Sequence, residues 1–146
     1  MAAPPVLQAL LVCDQVVQEV GTMKRSAIGI FTELLALRFP AVHASLAVYF
    51  AVTDAEGKYA IELELDDLER NQVVGGVRGI EMVARDKLAV TDFHLTFHNV
   101  QFPHPGKYEF RLLFNGHLAG SRTITLREMK TPQRPGAPPP PAHGQG

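Results

Sequence analysis

Six histidines and one cysteine are the residues of this chain suited to metal or nucleophilic chemistry. His94 and His98 stand four apart, a spacing that on a helix would turn both imidazoles toward one metal ion. Phe93, Leu95 and Phe97 alternate with them, however, which makes the segment a strand, and four residues of strand span about 13 Å. Two imidazoles that far apart do not close on one ion, so they are read as the solvent face of that strand. His43, His104 and His117 fall outside any ligand motif. The carboxylates raise calcium, but Asp54 and Glu56 sit at one end of a strand and Asp66 and Asp67 at the other, about 30 Å away. Calcium takes six to eight oxygens, which neither group supplies alone. Cys13 lies in an apolar strand, the setting of a buried, inert thiol. There is no G-x-S-x-G, and Gly75-Gly76-Val77-Arg78-Gly79 lacks the strand-to-helix setting of a phosphate loop. No catalytic residue and no metal ligand is therefore nominated, and no cofactor is expected.

Charge is more informative than chemistry. The chain has 146 residues and a net charge of -1. Residues 54–70 are rich in carboxylates, among them Glu62, Glu64 and Asp66. Residues 103–134 carry the cations Lys107, Arg111, Arg122, Arg127, Lys130 and Arg134. Two oppositely charged hairpins suit contacts between proteins. The candidate contact residues are Glu62, Glu64 and Asp66 on one hairpin and Arg111, Arg122 and Arg127 on the other. Nucleic acid is not an expected partner, because no aromatic residue is interleaved among the arginines and the acidic segment balances them.

These residues need strands to carry them. Tyr108, Phe110, Leu112 and Phe114 recur at every second position, Asn115-Gly116 is a tight-turn pair, and Ile124 and Leu126 return on the same side. Residues 58–66 alternate as cleanly, with Tyr59, Ile61, Leu63 and Leu65 inward and Lys58, Glu62, Glu64 and Asp66 outward. Further strands are expected at 7–13, 27–31, 45–52 and 93–100. Tyr49 falls on the face opposite Phe50. The glycines of 67–79 indicate a loop. Thr32 to Phe39 contains good helix formers with a capping threonine and a proline after it, so a short helical turn is expected at 32–39.

The class that follows is all-β: a two-layer antiparallel β-sandwich, immunoglobulin-like, with one helical turn near 32–39. Residues 1–5 are expected to be a loose N-terminus and 6–130 the sandwich domain. The segment 131–146, rich in proline, is expected to be a disordered tail. A single cysteine permits no internal disulfide. The N-terminus has no basic residue before its short apolar run, and no apolar stretch approaches the ~20 residues of a membrane helix. A cytoplasmic protein without membrane contact is expected.

Cys13-Asp14, Ile28-Gly29-Ile30-Phe31, Phe39-Pro40 and Gly106-Lys107-Tyr108-Glu109-Phe110 together resemble an uncharacterised family of small bacterial proteins known by a domain of unknown function. The resemblance covers residues 10–126. It departs from the family pattern at Gly21-Thr22-Met23-Lys24, where a Gly-Lys pair would stand. It implies a bacterial source and a β-sandwich, and no activity. The expected function is a non-enzymatic interaction module that contacts another protein or a second copy of itself. The alternatives are a small-ligand-binding sandwich and, behind it, a metal- or cysteine-dependent enzyme.

Overall fold

The computed structural model describes residues 4–130. The loose segment expected at 1–5 lies partly outside them, and the tail expected at 131–146 wholly so. Nine strands follow in order: β1 (Val6–Gln18), β2 (Arg25–Ile30), β3 (Glu33–Ala36), β4 (Ala41–Thr53), β5 (Gly57–Asp67), β6 (Gln72–Ala84), β7 (Thr91–Phe102), β8 (Gly106–Phe114) and β9 (His117–Glu128). They form two sheets, one ordered β2-β1-β4-β7 and the other β3-β9-β8-β5-β6. No helix is present among the described residues, and hence none long and apolar enough to cross a membrane.

Period-two alternation builds both inner faces. Ile61, Leu63 and Leu65 on β5 and Tyr108, Phe110, Leu112 and Phe114 on β8 are buried. They meet Leu46, Val48, Phe50 and Val52 of β4 in one core. The rings of Phe50 and Phe114 pack edge to face at 5.6 Å between the two sheets, and those of Phe102 and Tyr108 at 5.1 Å. Each such fully buried side chain contributes about 1.5–3 kcal/mol of transfer free energy, which is why alternation dictates the fold.

The structure corrects the expected helical turn at 32–39. Glu33–Ala36 is a strand that pairs parallel to β9, with Glu33 beside Thr125 and Ala36 beside Glu128. The sheets are thus not wholly antiparallel. Thr125 N donates to Thr32 O at 3.0 Å and Met129 N to Ala36 O at 2.7 Å. A helical nucleus fixes several residues for its first hydrogen bond, whereas the open edge of β9 satisfies these backbone groups directly. The loop read at 67–79 is likewise mostly strand. Only the turn at 68–71 separates β5 from β6, and the glycines sit within β6 at two register shifts.

The hairpin β1–β2 leaves its sheet. β1 pairs with β4 only as far as Cys13 and beyond it with β2 alone. Arg25 pairs with Gln18, seven residues along from Leu11, the residue in register with Tyr49 and His94. A flat continuation would separate Arg25 from His94 by about 23 Å. Instead Arg25 Nε donates to His94 Nδ1 at 3.0 Å, and its guanidinium pairs with Asp92. The hairpin therefore folds back over the outer face of its own sheet. Cys13 and Ala47, side by side on that face, are fully buried there.

Candidate functional site

Four of the six residues expected at contact surfaces lie on one face of one sheet. On β5, Glu62, Glu64 and Asp66 point away from the core, alternating with buried Ile61, Leu63 and Leu65. The β5–β8 ladder sets Arg111 opposite Glu64. Arg111 reaches Asp66 at 3.7 Å and Glu109 at 3.8 Å. The acidic and basic hairpins are thus neighbours that partly neutralise each other. Partial burial, then the carboxylates of Asp66 and Glu62, push the Glu64 carboxyl up, against the pull of Arg111. Asp66 Oδ1 is buried without a hydrogen-bond partner.

The other two cations are drawn elsewhere. Arg127 pairs with Glu33 of β3. Arg122 is not on the outer face of the hairpin. It shares the parity of buried Ile124 and Leu126, and its Nε donates to Leu10 O at 2.9 Å, tying β9 to β1.

A cleft opens along the side where β6 of one sheet faces β7 of the other. Its volume is ≈ 330 Å³. Leu63, Leu65 and Phe110 form its floor, with Val74 on one wall and Phe97 and Val100 on the other. His98, Asn99 and Gln101 stand along the β7 side. Among the described residues β6 and β7 are the terminal strands of their sheets, each paired on one side only. Glycine makes the β6 side thin. Gly76 lies opposite Glu64 at a φ of 147°, and a Cβ there would stand 2.3 Å from Leu63 O. Gly75 is different, since a Cβ on it would meet no atom within 4 Å. Above this bare stretch, on the outer face, is a second hollow of ≈ 230 Å³ bordered by Glu62, Glu64, Val73, Val77 and Arg78.

The end of the molecule nearest the cleft is closed. The Asp67 carboxylate, fully buried, accepts from the N–H groups of Glu69 and Arg70 at 3.0 and 3.1 Å. Its other oxygen lies 2.5 Å from His104 Nε2, while His104 Nδ1 is 2.6 Å from Pro105 O. Both ring nitrogens face acceptors, so the imidazolium is favoured: the Pro105 carbonyl and then Asp67 push the His104 pKa up. Burial alone would raise the Asp67 pKa, but the Arg70 N–H, His104 and the Glu69 N–H together hold it below the usual carboxylate range. Tyr108 locks the same turn. Its hydroxyl donates to His104 O at 2.7 Å and accepts from His104 N at 3.2 Å.

Two constellations escaped the reading of the sequence. Asp14 Oδ1 lies 3.0 Å from His43 Nε2, and Phe31 meets the His43 ring edge-on at 5.6 Å. A Cβ on Gly29 would stand 2.5 Å from Asp14 Oδ2, so the carboxylate occupies space that glycine leaves. Cys13-Asp14 and Ile28-Gly29-Ile30-Phe31 therefore converge. Cys13 Sγ does not join them. It points to the carbonyls of Gln15 and Ala47, and burial pushes its pKa up. On the outer face of the other sheet, Tyr49 donates to Asp92 at 3.0 Å, and Asp92 also holds Arg25. Burial, then the Arg25 charge, lowers the His94 pKa. Among the described residues no three His, Cys, Asp or Glu side chains converge to hold a metal ion.

The chain belongs to the family of unknown function DUF6941, whose model matches residues 8–127. No curated protein matches it. Solved structures that it resembles include the alkylpurine DNA glycosylase AlkC of Pseudomonas fluorescens bound to DNA containing an abasic site analog. That likeness has 13% identity and a TM-score of 0.51, over 84% of this chain and 30% of that one. A β-glucosidase from Listeria innocua is similar at 12% identity and a TM-score of 0.46, over 84% of this chain and 16% of that one. The chain spans less than a third of either protein's length, and the first likeness is one of fold alone.

Proposed function

We propose that this member of a family of unknown function is a non-enzymatic, immunoglobulin-like sandwich that binds another protein by accepting an extended strand along β6. The observation that carries the reading is the pairing of a free thirteen-residue strand edge with an apolar cleft beside it. Unpaired N–H and C=O groups supply backbone hydrogen bonds to any added strand, and the cleft receives its alternate side chains. The Tyr108 hydroxyl, bonded to the backbone four residues upstream, supports the immunoglobulin-like description. A lone, buried thiol suits a bacterial cytoplasm. The Ser45 hydroxyl beside the Asp14–His43 contact donates to the Asp14 backbone carbonyl at 3.2 Å, so its proton is engaged with the backbone and not with the imidazole.

Random peptides displayed on phage and selected on the full chain test this reading. Selected sequences should be extended and alternately apolar, and Gly75→Leu should abolish their binding while leaving the fold intact, because it fills the open space beside the cleft. Binders insensitive to Gly75→Leu would overturn the strand-addition reading. A second reading, a small-ligand pocket, draws on the cleft's volume, which is at the lower bound of ligand sites. It predicts stabilisation by a small apolar molecule in a thermal-shift screen, lost in the same variant.

A further inference from the structure

We infer that the strand received by β6 carries apolar and cationic side chains in alternation, an inference that rests on the strand-addition reading. Side chains of a strand point to opposite faces in turn. On an added strand, those facing inward enter the cleft over Leu63, Leu65 and Phe110. Those facing outward lie above β6 where Gly75 and Gly76 present no side chain. Directly beyond the glycines stand Glu64, in register with Gly76, and Glu62.

Distance selects the outward residue. The added strand would lie two strand spacings from β5, about 10 Å. A short side chain stops over the glycines. A lysine or arginine stem crosses them and brings its charge to the carboxylates. Arg111, opposite Glu64, stands on the β8 side of the acidic row, away from the glycines, and pairs with Asp66 and Glu109. Arg78, exposed on the rim of the hollow, is the one cation that borders it among the described residues, against two carboxylates. A cation therefore relieves the crowding among Glu62, Glu64 and Asp66, whereas an acidic residue adds to it. Gly76 thus does two things: it lets the β6 backbone approach Leu63 O, and, in register with Glu64, it opens the path from the edge to the acidic row.

Three synthetic peptides of equal length decide it: alternating Val-Lys, Val-Gln and Val-Glu, each measured by fluorescence anisotropy against the full chain. Val-Lys is expected to bind at least about tenfold more tightly than Val-Gln, and Val-Glu more weakly than either. In E62Q/E64Q the Val-Lys advantage should vanish while Val-Gln affinity stays unchanged. This variant removes like charges from an exposed face, and its melting temperature confirms that it folds. Equal binding of Val-Lys and Val-Gln would overturn the charge inference and leave strand addition standing. A Val-Lys preference that survives in E62Q/E64Q would also overturn it, as non-specific attraction. Failure of all three peptides on the folded protein would overturn strand addition itself. Sedimentation of the protein alone adds a further outcome: a dimer dissolved by Gly75→Leu would make a second copy the occupant of β6 and overturn the inference.

Discussion

His104 Nε2 and Asp67 Oδ2 meet at 2.5 Å across thirty-seven residues of chain, joining the turn after β5 to the turn before β8. The carboxylate is fully buried and the imidazole nearly so, so the contact clamps the end of the molecule beside the cleft.

The clamp sets a pH window for stability. The His104 pKa is raised in the folded state, so its contribution is complete below the unfolded value of about 6.5 and is lost as pH rises through the folded value. The Asp67 pKa is lowered, so its contribution is complete above about 3.9 and is lost as pH falls through the folded value. Stability from this pair is greatest between about pH 4 and 6.5. Urea unfolding across pH should show the wild-type midpoint falling on the alkaline side. His104→Gln should flatten that limb and cost about 2–4 kcal/mol at pH 6, because it leaves a buried carboxylate with fewer donors. A variant whose midpoint tracks the wild type over the alkaline limb would show that the clamp does not titrate with folding.

Adjacent glycines of β6 should respond oppositely to alanine. Gly76→Ala forces a Cβ against Leu63 O at a left-handed φ and should cost about 1–3 kcal/mol. Gly75→Ala meets no atom and should be neutral or stabilising by about 0.5 kcal/mol. Equal effects in urea titrations would mean that the β6 backbone does not pass Leu63 as closely as described.

The folded-back hairpin should protect the thiol. Cys13 is expected to react with a thiol reagent about a hundredfold more slowly in the native protein than in urea, since burial both covers the sulfur and raises its pKa. Arg25→Gln removes the contacts to Asp92 and His94 that hold the hairpin down, and should raise the native rate severalfold without a matching loss of global stability. An unchanged rate would show that Arg25 is not what keeps the face covered.

Sequence alone determined the strands that carry a dry and a wet face. β4, β5, β8 and β9 are written in period-two alternation because burial on one side dictates every second residue, and that local rule placed Glu62, Glu64, Asp66 and Arg111 correctly outward. Arg122, expected with Arg111 and Arg127 at the contact face, was misplaced, although the inward parity it shares with Ile124 and Leu126 stands in the sequence. Tertiary structure alone decided which strands are neighbours and which are edges. Glu33–Ala36 became a strand because β9 offered an open ladder, a property of another segment. Gly75 and Gly76 read as loop residues because nothing local shows that the Leu63 carbonyl, thirteen residues earlier on the neighbouring strand, leaves no room for a side chain at Gly76. The pairing of Asp14 with His43, the reach of Arg25 over its own sheet and the open side between β6 and β7 are all relations between distant segments. Pattern reports how a residue faces its own strand, whereas partners follow from the order in which strands are stacked, which the packing of the shared core selects.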